Sequence, residues 1–180
     1  MRDVTALWHV SDDPAISRFE PRAVATHDSP EPLVWAIDHA HLPAYWFPRN
    51  CPRGTFWANE TTSDDDVECF LGGDRSARVH AIEHGWLAAV QSAEMTAYRL
   101  PPGTFERYER AAGHWVSRAP VEPIEAVSLG DLVDRHAQAG IELRIVPDLM
   151  TLWQRVIAST LEFSGIRLRN LATRPSGPRT

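Results

Sequence analysis

The sequence predicts a mixed α+β fold: curved, mixed or antiparallel sheets with short helices, and a C-terminal helix packed on the domain. Three observations carry that expectation. Short runs of β-forming residues, bounded by Pro, Gly and polar turns, fill the first two-thirds of the chain. The helical signals cluster late. The spacing is not a regular strand–helix alternation, which argues against a doubly wound parallel sheet.

The elements follow in chain order. Residues 4–10 (VTALWHV) read as a first strand, followed by a turn through Pro14 and Pro21 and a polar loop over 23–32. A second strand is expected at 33–38 (LVWAID), a short helix broken by Pro43 at 39–47, and a third strand at 54–59 (GTFWAN). Residues 60–66 (ETTSDDD) read as a solvated acidic loop, and Gly72-Gly73 as a turn. Strands are expected at 76–83 and 95–100, with a short helix between them at Trp86, Leu87 and Val90. Ser128-Leu-Gly-Asp131 has the spacing of a capping box, opening a helix that Gly140 closes. IELRIV (141–146) alternates at period two. Asp148 then caps a last helix in which Leu149, Leu152, Trp153, Val156 and Ile157 fall on one stripe. One domain is expected over 1–172, with a flexible polar tail at 173–180.

Composition narrows the function classes. Among 180 residues the net charge is -6, which argues against general nucleic-acid binding. No run approaches the roughly 18 apolar residues of a membrane span, and the N-terminus lacks a signal-peptide core, so a cytoplasmic location is expected. Cys51 and Cys69 are not a CxxC pair, which sets aside a cysteine-built zinc cluster. All 18 basic residues are arginine, the usage of a GC-rich bacterial genome. A lysine Schiff base or P-loop cation is thereby excluded.

Four constellations could carry chemistry. His80, Glu83 and His84 match H-x-x-E-H, the inverted zinc-hydrolase pattern, although the flanking residues read as strand and Gly85 interrupts any helix. His39 and His41 beside Asp38 would share a face only if extended; a solvated surface is the simpler reading, and no metal is expected. In Trp8-His9-Val10-Ser11, His9 and Ser11 put two hydrogen-bonding groups on one face, which a backbone carbonyl would also explain. Finally, Tyr45, Trp46 and Phe47 precede Arg49 and Arg53. Aromatics stack on bases and arginine forks clamp phosphate, so this mix suits a nucleotide or, equally, a packed aromatic cluster with exposed arginines. Arg167 and Arg169 would share a face if extended and read as structural ion pairs.

Several segments resemble the ADP-ribosyltransferase fold, specifically the small bacterial rifamycin-modifying type. They are LWHVS (7–11), LVWAID with HAHLPAYWF (33–47), TAYRLPPGTFE (96–106) and GHWVSRAPVEPIEAV (113–127), in matching order. The chain also resembles an uncharacterised bacterial family sharing His-x-Ser, Tyr-Trp-Phe-Pro-Arg and Leu-Glu-Phe-Ser-Gly-Ile-Arg-Leu-Arg-Asn. The first resemblance implies an NAD cleft between two small sheets. His9 would hold the nicotinamide-side ribose and Trp35 would stack on nicotinamide. Glu106, followed by Glu109, would stabilise the charge that develops as nicotinamide leaves. Ser11, Tyr45, Arg49 and Arg53 complete the candidate cofactor-binding set. Val10 stands where that family has glycine, and Trp35 where it has tyrosine. Two alternatives stay open: a noncatalytic ligand-binding or interaction domain of the same fold, and a metal-dependent hydrolase using His80, Glu83 and His84.

Overall fold

Alternation along one short strand sets up the first sheet. In Leu7–Ser11 (β1), Leu7, His9 and Ser11 point to one face, and Trp8 and Val10 to the other. The partner strands repeat that period, so one face gathers apolar side chains into a core. The computed structural model describes residues 6–23, 31–108 and 113–171. Among them are ten strands and four α-helices, in two compact units. The first unit holds residues 1–46 and 94–130, the second 47–93 and 131–180.

The first unit is one six-stranded antiparallel sheet. Besides β1 it contains Val34–Asp38 (β2), Thr96–Leu100 (β5), Glu106–Arg107 (β6), His114–Ser117 (β7) and Glu125–Ser128 (β8), in the order β6-β7-β2-β1-β5-β8. Register places Leu7 opposite both Asp38 and Leu100, and His9 opposite Tyr98. The core face carries Leu7, Val34, Ala36, Tyr98 and Leu100, closed by Phe19 and Val121. Tyr98 is fully buried, and its hydroxyl donates to Asp13 O at 2.6 Å and accepts from Ile16 N at 3.1 Å.

The second unit is a four-stranded mixed sheet flanked by helices. Its strands are Arg53–Trp57 (β3), Arg78–Glu83 (β4), Ile141–Val146 (β9) and Glu162–Ile166 (β10), in the order β10-β3-β4-β9, with only β4 and β9 parallel. Its helices are Asp64–Leu71 (α1), Leu87–Ser92 (α2), Leu132–Gln138 (α3) and Leu149–Ile157 (α4). The main core packs α1 and α4 on one sheet face through Phe56, Val67, Phe70, Val79, Leu149 and Val156.

The predicted α+β class and mixed or antiparallel sheets are what forms, with four corrections. The acidic loop at 60–66 instead opens α1: Ser63 accepts from Asp66 N, and Asp64, Asp65 and Asp66 fill the first turn, where the helix dipole favours anions. The capping box is displaced, because Ser128 ends β8 and Asp131 is the cap of α3, accepting from Val133 N and Asp134 N. Residues 39–41 are a turn, and only Leu42–Tyr45 coil, as one 3₁₀ turn. Arg167 has φ 58, which ends β10 and prevents Arg167 and Arg169 from sharing an extended face. The expected tail at 173–180 and residues 4–5 of the first strand lie outside the described residues. Among the described residues no helix is long and apolar enough to cross a membrane.

Candidate functional site

The face of the first sheet opposite its core carries an array of half-buried rings. Two cross-strand rows build it: Trp8, Ile37 and His114 align across β1, β2 and β7, and Trp35, Val116 and Glu106 across β2, β7 and β6. The Trp35 indole meets Tyr108 edge-on with centroids 4.8 Å apart, and His114 at 6.1 Å. His114 also meets Tyr45, 6.0 Å away, and its Nε2 lies 2.8 Å from the Tyr45 hydroxyl. The Trp8 indole N–H, on this same face, is buried with no acceptor among the described residues. Indole, phenol and imidazole offer apolar faces with polar handles at their rims, the combination that holds planar, partly polar molecules.

Register separates His9 from this array. Leu7, His9 and Ser11 share the core face, whereas Trp35 follows Trp8 to the other side. The His9 ring packs 4.8 Å from Phe19, and its Nδ1–H donates to the Trp35 carbonyl at 2.9 Å, the backbone-satisfied histidine that the sequence also allowed. His9 and Trp35 therefore do not line one groove. The ribose-holding part that the resemblance gave His9 beside Trp35 is corrected on that ground: the parity of neighbouring strands turns the two rings apart.

The remaining candidates disperse. Ser11 is buried and its hydroxyl accepts from Asp13 N at 3.1 Å, closing the turn after β1. Tyr45 joins the Trp35 array through His114. Glu106 lies on the same face but is exposed and ion-paired with Arg118, which also meets Glu31 at 3.1 Å. Glu109 lies outside the described residues. Arg49 and Arg53 belong to the second unit. Arg49 is exposed in a turn. Arg53, read as an exposed arginine in the alternative to a nucleotide clamp, is 3% exposed, donates from Nη1 to Cys51 O at 2.9 Å and lies 5.2 Å over the Phe47 ring. Among the described residues, Arg167 and Arg169 form no ion pair.

The H-x-x-E-H pattern is not a metal centre. His80 sits mid-strand in β4, Glu83 ends the same strand three residues on and so faces the other way, and His84 opens a 3₁₀ turn. The Glu83 carboxylate accepts from Leu149 N at 3.2 Å at the start of α4. His41 is held by Asp38 at 2.7 Å, while His39 approaches Trp8 with centroids 6.3 Å apart. Among the described residues no three metal-ligating side chains converge.

Sequence reasoning missed His114 and Tyr108 as site residues. The signal was present in HWVS, where His114 and Val116 fall two apart on one strand face. Which face that is depends on pairing with Trp35 and Ile37, which no local pattern specifies.

Fold and face together define a mixed α+β protein whose antiparallel sheet displays an aromatic, histidine-bearing surface. The chain belongs to the family of unknown function DUF6886, whose family model matches residues 8–171. No curated protein and no solved structure matches it.

Proposed function

We propose that the first unit is a ligand-binding module whose ligand is a planar, nucleotide-like molecule, with NAD among the candidates, seated against the Trp35 face. The observation that carries this reading is the meeting of Trp35, Tyr108 and Tyr45 around His114, with all four side chains only partly buried. A base or nicotinamide ring gains stacking and edge contacts from such an array, and the Tyr45–His114 pair supplies polar contacts at its rim. Binding is the better-supported half of the earlier expectation. ADP-ribosyl transfer has one feature in its favour, Glu106 in the same cross-strand row as Trp35, but that carboxylate is engaged by Arg118.

Titration calorimetry with NAD, AMP and nicotinamide mononucleotide tests the reading. Stacking on an aromatic side chain contributes about 1–3 kcal/mol per base, so Trp35→Ala is expected to weaken binding by roughly 5- to 150-fold. No saturable heat with any of the three, or unchanged binding by Trp35→Ala, overturns it. Nicotinamide release from NAD that is lost in Glu106→Gln would establish cleavage of the nicotinamide–ribose bond, with free ADP-ribose as the product if water takes the ribosyl carbon and an ADP-ribosylated acceptor if transfer occurs; binding without release would establish a module.

A further inference from the structure

The second unit buries two histidines against each other, and the hydrogen-bond geometry fixes where their protons lie. His136, on α3, has Nδ1 at 2.6 Å from the Leu132 carbonyl. A carbonyl only accepts, so this nitrogen carries the proton, and in the neutral ring Nε2 is left as a lone pair. His80 Nδ1 approaches that lone pair at 3.0 Å and must be the donor. His80 Nε2 is then a lone pair as well. It is buried with no hydrogen-bond partner, in a residue that is 0% exposed.

We propose that this pair is an acid-sensitive latch for α3: a proton entering the interior of the second unit lands on His80 Nε2, and α3 leaves the sheet as that charge becomes hydrated. The surroundings oppose a cation. The Phe47 ring packs on both imidazoles, with centroids 5.9 and 5.0 Å away. Thr55, opposite His80 on β3, is uncharged and donates to Ser164 O. The charged neighbours that act on His80 are the Arg78 guanidinium on its own strand and that of Arg53 on β3, both of the wrong sign. The Cys51 thiol is pushed up to about 12 by burial and stays neutral. On β9, Glu142 and Arg144 pair with each other opposite Val79 and Ala81, on the other sheet face. On β10, Glu162 bonds Asn59 at 2.9 Å, and α2 holds no titratable side chain. Burial is the main cause holding both imidazoles below the ordinary histidine value, well below it for His80.

The helix that yields is α3. Its seven residues are too few to be stable alone, so its place depends on the packing of Leu132 and His136, both 0% exposed. The sign follows from linkage. The folded values are depressed, so the open state binds more protons; the docked state is fully favoured above about pH 6.5 and loses ground as pH falls.

Two measurements test the latch. Long-range proton–nitrogen NMR of the intact chain at pH 7.5 is expected to show protons on Nδ1 of both His80 and His136. On lowering the pH to 5, backbone signals of 132–138 are expected to disappear before either imidazole titrates in place. In denaturant unfolding, the folding constant of the wild type is expected to fall by up to about tenfold per pH unit for each histidine, up to about a hundredfold for both. His80→Leu/His136→Leu, which removes both partners, is expected to lose that part of the slope. A proton on His80 Nε2 at pH 7.5 overturns the proposal. So do in-place titration of either ring with 132–138 undisturbed, and equal slopes in wild type and variant. The NMR arm stands even if the double variant does not fold.

Discussion

Trp153 lies across a pair of glycines, and adding one methyl group to either tests how tightly the second unit is packed. Gly54 and Gly165 face each other across β3 and β10. A Cβ on Gly54 would sit 2.8 Å from Trp153 Cε3 and 3.1 Å from Cζ3; one on Gly165 would sit 2.7 Å from Trp153 Cζ2 and 2.6 Å from Leu168 Cδ1. The indole has little room to retreat. Leu149 and Val156, both 0% exposed, fix α4 beneath it, and Phe163 meets its edge with centroids 5.4 Å apart. Overpacking of this kind costs about 1–3 kcal/mol. Against that stands about 0.4–1 kcal/mol from the lower entropy of an unfolded chain with Ala in place of Gly. Gly54→Ala is therefore expected to destabilise by about 1–2 kcal/mol, or roughly 2–8 °C in Tm for a chain of this size. Gly165→Ala should cost about as much, because Leu168 ends in a flexible side chain that can swing aside but the Trp153 ring, 2.7 Å away, remains. The double variant should cost less than the sum, since one displacement of the ring relieves both contacts. Urea unfolding followed by tryptophan fluorescence reads all three. A Gly54→Ala variant within about 0.5 kcal/mol of wild type, the size of an ordinary surface change, would refute the reasoning.

Two further outcomes are expected. Tyr98→Phe should cost about 1–3 kcal/mol in urea unfolding, because it strands the Asp13 carbonyl and the Ile16 N–H that the hydroxyl now bridges; a loss under about 0.5 kcal/mol would count against that role. A chromogenic disulfide at pH 8 should react rapidly with the exposed Cys69 of the native protein and with Cys51 only in denaturant, because Cys51 is 0% exposed and its thiol is pushed up to about 12. Rapid reaction of two thiols in the native state would show that Cys51 is not sealed.

Local signals located what is locally determined. The period-two run at 141–146 and the Asp148-capped stripe at 149–157 form as β9 and α4. Where two readings competed, longer-range partners decided. The acidic run at 60–66 reads locally as a solvated loop; Val67, Phe70 and Leu71 finding a core makes 64–66 the first turn of a helix instead. The capping box slipped because Ser128 pairs with Thr96 as the end of a strand. In the candidate site, Trp35 and Tyr45 were legible as aromatic residues near a nucleotide-like pattern. That they meet through His114 was not, because β7 reaches β2 only through a pairing about 80 residues distant in sequence.

The histidines show how far side-chain parity governs what a residue can do here. His9 and Trp8 are neighbours in sequence, yet one is tied to a backbone carbonyl beside the core while the other joins the ring-bearing face. His80 and Glu83, read together as a motif, are parted by the same alternation into a buried histidine pair and a helix-capping contact. A motif defined by spacing assumes a period. On a helix, residues three and four apart converge; on a strand, three apart diverge. The H-x-x-E-H spacing therefore brings no three ligands together once Val79, His80 and Ala81 are seen to be extended, and the same alternation puts His9 and Trp35 on opposite faces of their sheet. What survives is chemistry carried by register: Trp35, Val116 and Glu106 in one row and Trp8, Ile37 and His114 in the next, on the same face of one sheet. On the proposed reading, a ligand laid on that face meets side chains from four strands, and substitutions at Trp35 and His114, rather than at His9, are expected to weaken its binding in titration calorimetry.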